Sequence, residues 1–213
     1  MANKMPIAVL ISGSGRTLKN LLDRVAAGTL DVDIRLVVSS SPNAYGLKYA
    51  EEADIPTLVV ERSAYETPEA FSRAVFLPCR RAFVKYVVLA GYLKLLPIPD
   101  DFQYRVLNIH PSLIPAFCGK GFYGHAVHQA AIDRGVKVSG CTVHYADNEF
   151  DHGPIILQKA VAVKDDDTAD TLSDRILNEA EFDAYPEALQ LLAENRVKLV
   201  SIKGSDRCKV EIL

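Results

Sequence analysis

Apolar residues fall along the first half of this chain in two alternating rhythms. Short continuous apolar runs occupy 6–12, 33–39, 57–60 and 86–91, and each reads as a buried strand. Between them the spacing turns helical, with Leu18, Leu21, Leu22 and Val25 on one face of a helix predicted over 18–27. A second helix is predicted over 44–53. A third starts at Thr67-Pro68-Glu69, where Thr67 can cap and Pro68 suits the first turn. It is predicted to end or bend near Pro78, because proline has no N–H to give. A fifth strand is predicted over 105–110. This alternation predicts an α/β fold, an open twisted and mostly parallel sheet with helices on both faces.

Beyond residue 110 the rhythm changes. A loop with Gly119, Gly121 and Gly124 leads to a helix predicted over 126–134. Strand patterns at 138–145 and 155–163 flank a polar turn at 147–153, which predicts an antiparallel strand pair in the C-terminal part. A long helix over 168–193 should be bent or interrupted at Pro186, and a small hairpin should join 198–201 to 209–212. Repeats, low-complexity stretches and Pro/Gly linkers are missing. A single domain over 1–213 is therefore expected, with an N-terminal half of about 1–100 and a C-terminal half of about 101–213.

Composition narrows the classes. Apolar residues make up 49% of the chain and charged residues 24%, enough for a packed core. The net charge of -3, without a basic block, argues against a nucleic-acid partner. The four cysteines, Cys79, Cys118, Cys141 and Cys208, have no CxxC spacing. Neither a zinc site nor a redox pair is indicated, and free thiols in a reducing cytosol are expected. Met1-Ala2-Asn3-Lys4-Met5 runs straight into a short apolar segment, too short for a membrane span and lacking a cleavage region. A cytoplasmic protein with no membrane partner is expected.

Candidate chemistry collects at the carboxyl ends of the predicted strands, where open parallel sheets bind ligands. Polar clusters fall there at 12–17, 91–95 and 108–112. Ser12-Gly13-Ser14-Gly15-Arg16-Thr17 joins a strand to a helix, so amide N–H groups and the helix N-terminus could face an anion. It lacks the GxxxxGK[ST] pattern, and Leu18 stands where a dinucleotide fingerprint needs its third glycine. A monophosphate site is the favoured reading; a plain tight turn with Thr17 as helix N-cap is the alternative. Asn108 and His110 lie two apart on a strand and so face one way, a donor beside an imidazole suited to an oxyanion and a proton. A carboxylate near His110 would orient the ring and raise its pKa. Spacing leaves open whether Asp147, Glu149 or Asp151 supplies it. Leu93, Leu95 and Leu96 read equally as core or as an apolar slot.

Three segments taken together resemble the formyltransferase family that uses 10-formyltetrahydrofolate. They are Asn108-Ile109-His110-Pro111-Ser112-Leu113-Ile114-Pro115, Gly140-Cys141-Thr142-Val143-His144, and Asp151-His152-Gly153-Pro154-Ile155-Ile156-Leu157-Gln158. The similarity runs from Ile7 to about Leu192 and is nearest to the branch whose acceptor is the amine of phosphoribosylglycinamide (GAR), in purine biosynthesis. The resemblance implies a Rossmann-like formyltransferase fold with 10-formyltetrahydrofolate as co-substrate, no metal, and a monomer or homodimer. It implies that Asn108, His110 and Asp151 are catalytic. It assigns the GAR phosphate to Gly13, Ser14, Gly15, Arg16 and Thr17, and the glycinamide end to Glu181. It assigns folate to Tyr92, Leu93, Lys94, Leu95, Leu96, Asn108 and His144. Many members read Gly-Ser-Asn where this chain has Gly15-Arg16-Thr17, an arginine at Lys94 and a histidine at Phe182. Related formyltetrahydrofolate hydrolases add an N-terminal domain and initiator-tRNA formyltransferases a C-terminal one. The strand pattern starting at Pro6 and the end at Leu213 favour a small acceptor over both. A sugar-phosphate-binding module without catalysis would leave Asn108, His110 and Asp151 without a purpose.

Overall fold

The computed structural model describes residues 4–213, and Met1–Asn3 of the plain N-terminus read above lie outside the described residues. The chain forms two compact units, one running to Asn108 and one from Ile109 to Leu213.

The first unit is built from strand–helix repeats. Strand β1 (Met5–Ile11) is followed by α1 (Arg16–Ala26), β2 (Val32–Ser39), α2 (Gly46–Glu52) and β3 (Thr57–Val59). Then come α3 (Pro68–Arg81), β4 (Tyr86–Leu89) and β5 (Val106–His110), with short 3-10 turns at Arg62–Ala64 and Asp100–Phe102. β1 pairs in parallel with both β2 and β4, β2 with β3, and β4 with β5. Ile7, Val9, Leu10, Val37, Val87 and Val88 are fully buried, which is why these strands read as continuous apolar runs rather than alternating ones. The chain moves outward from β1 to β3, then crosses back to β4 on the other side of β1. With right-handed crossovers this reversal puts α3 on the face opposite α1 and α2. It also leaves a crevice between the carboxyl ends of β1 and β4, the switch point where such sheets bind ligands.

Helix α3 begins as expected: the Thr67 hydroxyl accepts from the Ala70 N–H at 3.1 Å, and Pro68 takes the first turn. The helix ends within one turn of Pro78, although not at the proline itself. The helix runs on to Arg81, and the Pro78 carbonyl still accepts from the Ala82 N–H at 2.9 Å.

In the second unit α4 (His125–Arg134) leads to β6 (Val138–Tyr145) and β7 (Ile155–Ala162), an antiparallel pair as expected. The full strand order is β3-β2-β1-β4-β5-β6-β7. The long C-terminal helix is interrupted, though not at Pro186. It consists of α5 (Ala169–Ile176), a π-helical stretch at Leu177–Glu181, and α6 (Phe182–Ala193), which contains Pro186. Widening by one residue per turn ahead of the proline absorbs the misfit its ring would cause. A separate hairpin of β8 (Val197–Ser201) and β9 (Cys208–Ile212) closes the chain as expected. All four cysteines are free, with Cys79 and Cys141 buried. Among the described residues no helix is long and apolar enough to cross a membrane.

Candidate active site

In the first unit the glycine loop lies at the β1 end of the switch point. Gly15, in the left-handed region at φ 73°, is the N-cap of α1, and Thr17 is buried inside the helix. The Thr17 cap considered from sequence is therefore absent; the turn needs a positive φ at the cap itself, which only glycine adopts at little cost. Gly13, Ser14 and Arg16 are exposed, and the first turn of α1 has no acidic residue to oppose an anion. The loop is packed backbone to backbone on the start of α2. A Cβ on Gly15 would lie 2.4 Å from the Gly46 Cα, and the Gly46 N–H donates to the Gly13 carbonyl at 3.1 Å.

Ser12 ties this loop to the β4 end. Its hydroxyl accepts from the Leu93 N–H at 3.0 Å and lies 2.7 Å from the Ser40 hydroxyl. In the segment after β4, Leu93, Lys94 and Leu95 are exposed, with Leu93 64% and Leu95 58% accessible. Tyr92 and Leu96 are buried. The Tyr92 hydroxyl has no partner and is pushed to a high pKa by burial and by the Cys79 thiol. Of the five residues assigned to folate in this segment, two therefore belong to the core.

In the second unit β5 ends at His110, which is 4% exposed. Its Nδ1 faces Asp151 Oδ2 at 3.5 Å and its Nε2 lies 2.9 Å from the Phe117 carbonyl. A carbonyl can only accept, so Nε2 carries a proton and Nδ1 is the nitrogen turned to the carboxylate. Two acceptors thus flank the ring and favour the imidazolium. Burial opposes it and, with the nearby His144, prevails: the His110 pKa lies below its ordinary value of 6.5, although Asp151 and Phe117 raise it. Asp151 does raise this pKa, as expected of a neighbouring carboxylate, but the net shift is downward. The carboxylate is present, but desolvation costs the charged ring more than the carboxylate returns. Half-buried Asn108 precedes His110 by two residues on β5.

Asp151 is the acid that reaches His110. Burial raises its pKa, but a hydrogen bond with His144, the Gly119 N–H at 2.9 Å and the two imidazoles outweigh that and hold it below the ordinary carboxylate range. His144 is fully buried; its Nδ1 donates to the Tyr145 carbonyl at 2.9 Å and its Nε2 lies 3.7 Å from Asp151 Oδ1. Asp147 instead bonds within its own turn, to the Glu149 N–H and the His152 ring, both at 2.9 Å. Glu181 ends the π-helical stretch, close enough to the buried Cys141 to help raise that thiol to about 12, behind the larger effect of burial.

Sequence reasoning missed the groups that shape this site. The loop after β5 is held by Thr142, whose hydroxyl donates to the Ser112 carbonyl at 2.7 Å. The same oxygen accepts from the Ile114 N–H at 3.0 Å and from Gln158 Nε2 at 2.9 Å. Ser112 in turn donates to the Ala116 carbonyl at 2.6 Å. The one available signal was a threonine between the apolar Cys141 and Val143 on a predicted strand, since a buried hydroxyl has a partner.

Residues 5–189 match the Formyl transferase family, and the chain belongs to it. It is 41% identical to glycinamide ribonucleotide transformylase 1 from Symbiobacterium toebii, whose crystal structure superposes with a TM-score of 0.89 over 100% of this chain and 96% of that one. It is 37% identical over 195 residues to the chloroplastic phosphoribosylglycinamide formyltransferase of Arabidopsis thaliana, covering 90% of this chain and 66% of that protein. It is 41% identical over 199 residues to the trifunctional purine biosynthetic protein adenosine-3 of Gallus gallus, covering 92% of this chain and 19% of that protein. The chain thus spans about a fifth to two thirds of the length of these two relatives.

Proposed function

We propose that this protein is a phosphoribosylglycinamide formyltransferase. It moves the formyl group of 10-formyltetrahydrofolate to the amine of GAR, giving N-formyl-GAR and tetrahydrofolate in purine biosynthesis. The observation that carries the reading is the buried His110 held between Asp151 and the Phe117 carbonyl at the end of β5, two residues after Asn108, in a member of this family. GAR and the folate are the only partners required, and the protein works in the cytoplasm as a monomer or homodimer.

In this reading the amine nitrogen attacks the formyl carbon and the carbonyl pair moves onto oxygen. The Asn108 side-chain N–H donates to that oxyanion. His110 begins neutral, as its lowered pKa favours. Its Nδ1 takes the proton released by the attacking amine, and the imidazolium so formed is held by Asp151 and the Phe117 carbonyl. That proton then passes to N10 of the folate as the C–N10 bond breaks, and His110 returns to neutral. The phosphate of GAR is assigned to the Gly13–Thr17 loop, with the exposed Arg16 as its cation, and the glycinamide end to Glu181. Exposed Leu93, Lys94 and Leu95 are the folate-side contacts favoured by accessibility. Tyr92 and Leu96 act behind them, since their side chains are buried, and buried His144 backs Asp151.

The test is incubation of the purified protein with 10-formyltetrahydrofolate, with and without GAR, following tetrahydrofolate, formate and N-formyl-GAR. Formyl-GAR made only when GAR is present supports the reading. Formate released without GAR would make the protein a hydrolase, and ligand binding without turnover a binding module.

A further inference from the structure

The turn that delivers Asp151 is braced from two sides by residues outside the proposed chemistry. It leaves β6 at Tyr145 and returns at Pro154, where the Tyr145 N–H donates to the Pro154 carbonyl at 2.9 Å. Gly153 packs so tightly there that a Cβ would sit 1.9 Å from the Tyr145 carbonyl oxygen. Inside this closed loop Asp151 has φ 53°, the left-handed region that a residue with a side chain seldom adopts. Left to itself, that backbone would relax toward an extended form and swing the carboxylate off the line to His110. Something must hold it.

Two groups do. Asp147 spans the turn, one oxygen accepting from the Glu149 N–H and the other from His152 Nδ1, both at 2.9 Å. It thereby fixes the residues on either side of Asp151. From the C-terminal hairpin, Arg207 Nη2 donates to the His152 carbonyl at 3.0 Å, pinning the His152–Gly153 peptide, the second beyond Asp151. We infer that Asp147 and Arg207 are positioning residues, which hold Asp151 in its left-handed conformation so that its carboxylate meets His110. The hairpin beyond α6 thus acts on the site at a distance, through one backbone carbonyl.

The inference rests on the proposed transferase reading for its kinetic test, and a spectroscopic arm tests it independently. In the full-length protein, Asp147→Ala should lower kcat by about 10- to 100-fold, the scale expected when a reacting group shifts by about 1 Å. KM for GAR and for the folate should stay within about twofold. Asp147→Asn keeps an acceptor for the Glu149 N–H and should recover most of the loss. Arg207→Met should lower kcat less than Asp147→Ala, and Arg207→Lys should restore it. The side-chain 15N resonance of His110 should move in Asp147→Ala in the same direction as in Asp151→Asn. A wild-type protein that transfers no formyl group would remove the transferase reading but leave this NMR comparison intact. An unmoved His110 resonance in Asp147→Ala, or Asp147→Ala turnover equal to an active wild type, overturns the inference.

Discussion

Replacing Thr142 with valine removes one hydroxyl and almost no volume, so its effect isolates the hydrogen bonds that shape the loop after β5. The Thr142 hydroxyl is fully buried and makes three bonds, to the Ser112 carbonyl, the Ile114 N–H and the Gln158 amide. In Thr142→Val the first two groups lose this partner, while Gln158 still reaches the Ile114 carbonyl at 3.0 Å. A buried polar group left unmet costs about 1–3 kcal/mol. Two such groups, partly relieved by loop relaxation, give an expected loss of about 3 kcal/mol. For a domain of this size each kcal/mol lowers the melting temperature by about 2–4 °C, so a drop of about 6–12 °C is expected. Circular dichroism melts of the parent, Thr142→Val and Thr142→Ser decide the matter, with the serine variant, which keeps the hydroxyl, near the parent. A valine variant melting within about 2 °C of the parent would refute the reasoning. Because the same loop carries the Phe117 carbonyl and the Gly119 N–H, formyl transfer measured well below the melting range should fall in valine and recover in serine.

Three further outcomes follow from the site. Asn108→Ala and Asp151→Asn should each lose about 10²–10³ in turnover while still folding, the scale of removing one stabilising group; near-normal kcat in either removes that residue from the chemistry. The acid limb of kcat/KM should lie below 6.5, because burial lowers the His110 pKa and the rate falls only as the ring protonates; a limb at or above 6.5 contradicts this. His128 is buried with Nδ1 unpartnered, and burial, with the charges of His125 and His110, lowers its pKa from 6.5 to about 4. The unfolded chain takes up this proton first as pH drops, so stability present above 6.5 is lost between 6.5 and about 4, by about 3 kcal/mol. Urea titrations should show that slope in the parent and a flatter one in His128→Leu.

The parts of the fold readable in advance were those set by burial alone. β1, β2 and β4 are packed on both faces and so announce themselves as apolar runs, while the β6–β7 pair shows as two runs about a polar turn. Proline was the weaker guide. Pro78 continues in a helix, and Pro186 is accommodated by a π-helical stretch that begins nine residues earlier and has no sequence signature. The candidate site was legible as residue types at a strand end, Asn108 and His110, but spacing left the carboxylate open and only the family resemblance pointed to Asp151. Asp147 and Asp151 look alike in a polar turn, and only tertiary packing shows one bonded within the turn and the other to Gly119, 32 residues away. The sign of the His110 shift was equally hidden, because it is a contest between a visible neighbour and an invisible burial.

The contact between Gly15 and Gly46 has a thermodynamic consequence. Backbone packed on backbone has no rotamers to freeze, so the loop after β1 takes its position from the start of α2 with no side chain to act as a spring. The conformational entropy of ordering these amides is spent when the unit folds, not when an anion arrives. A ligand landing on Gly13 to Thr17 would therefore meet a surface already in its bound shape. Its selectivity would be that of a mould: tolerant of any anion that fits, and unable to adjust to one that does not.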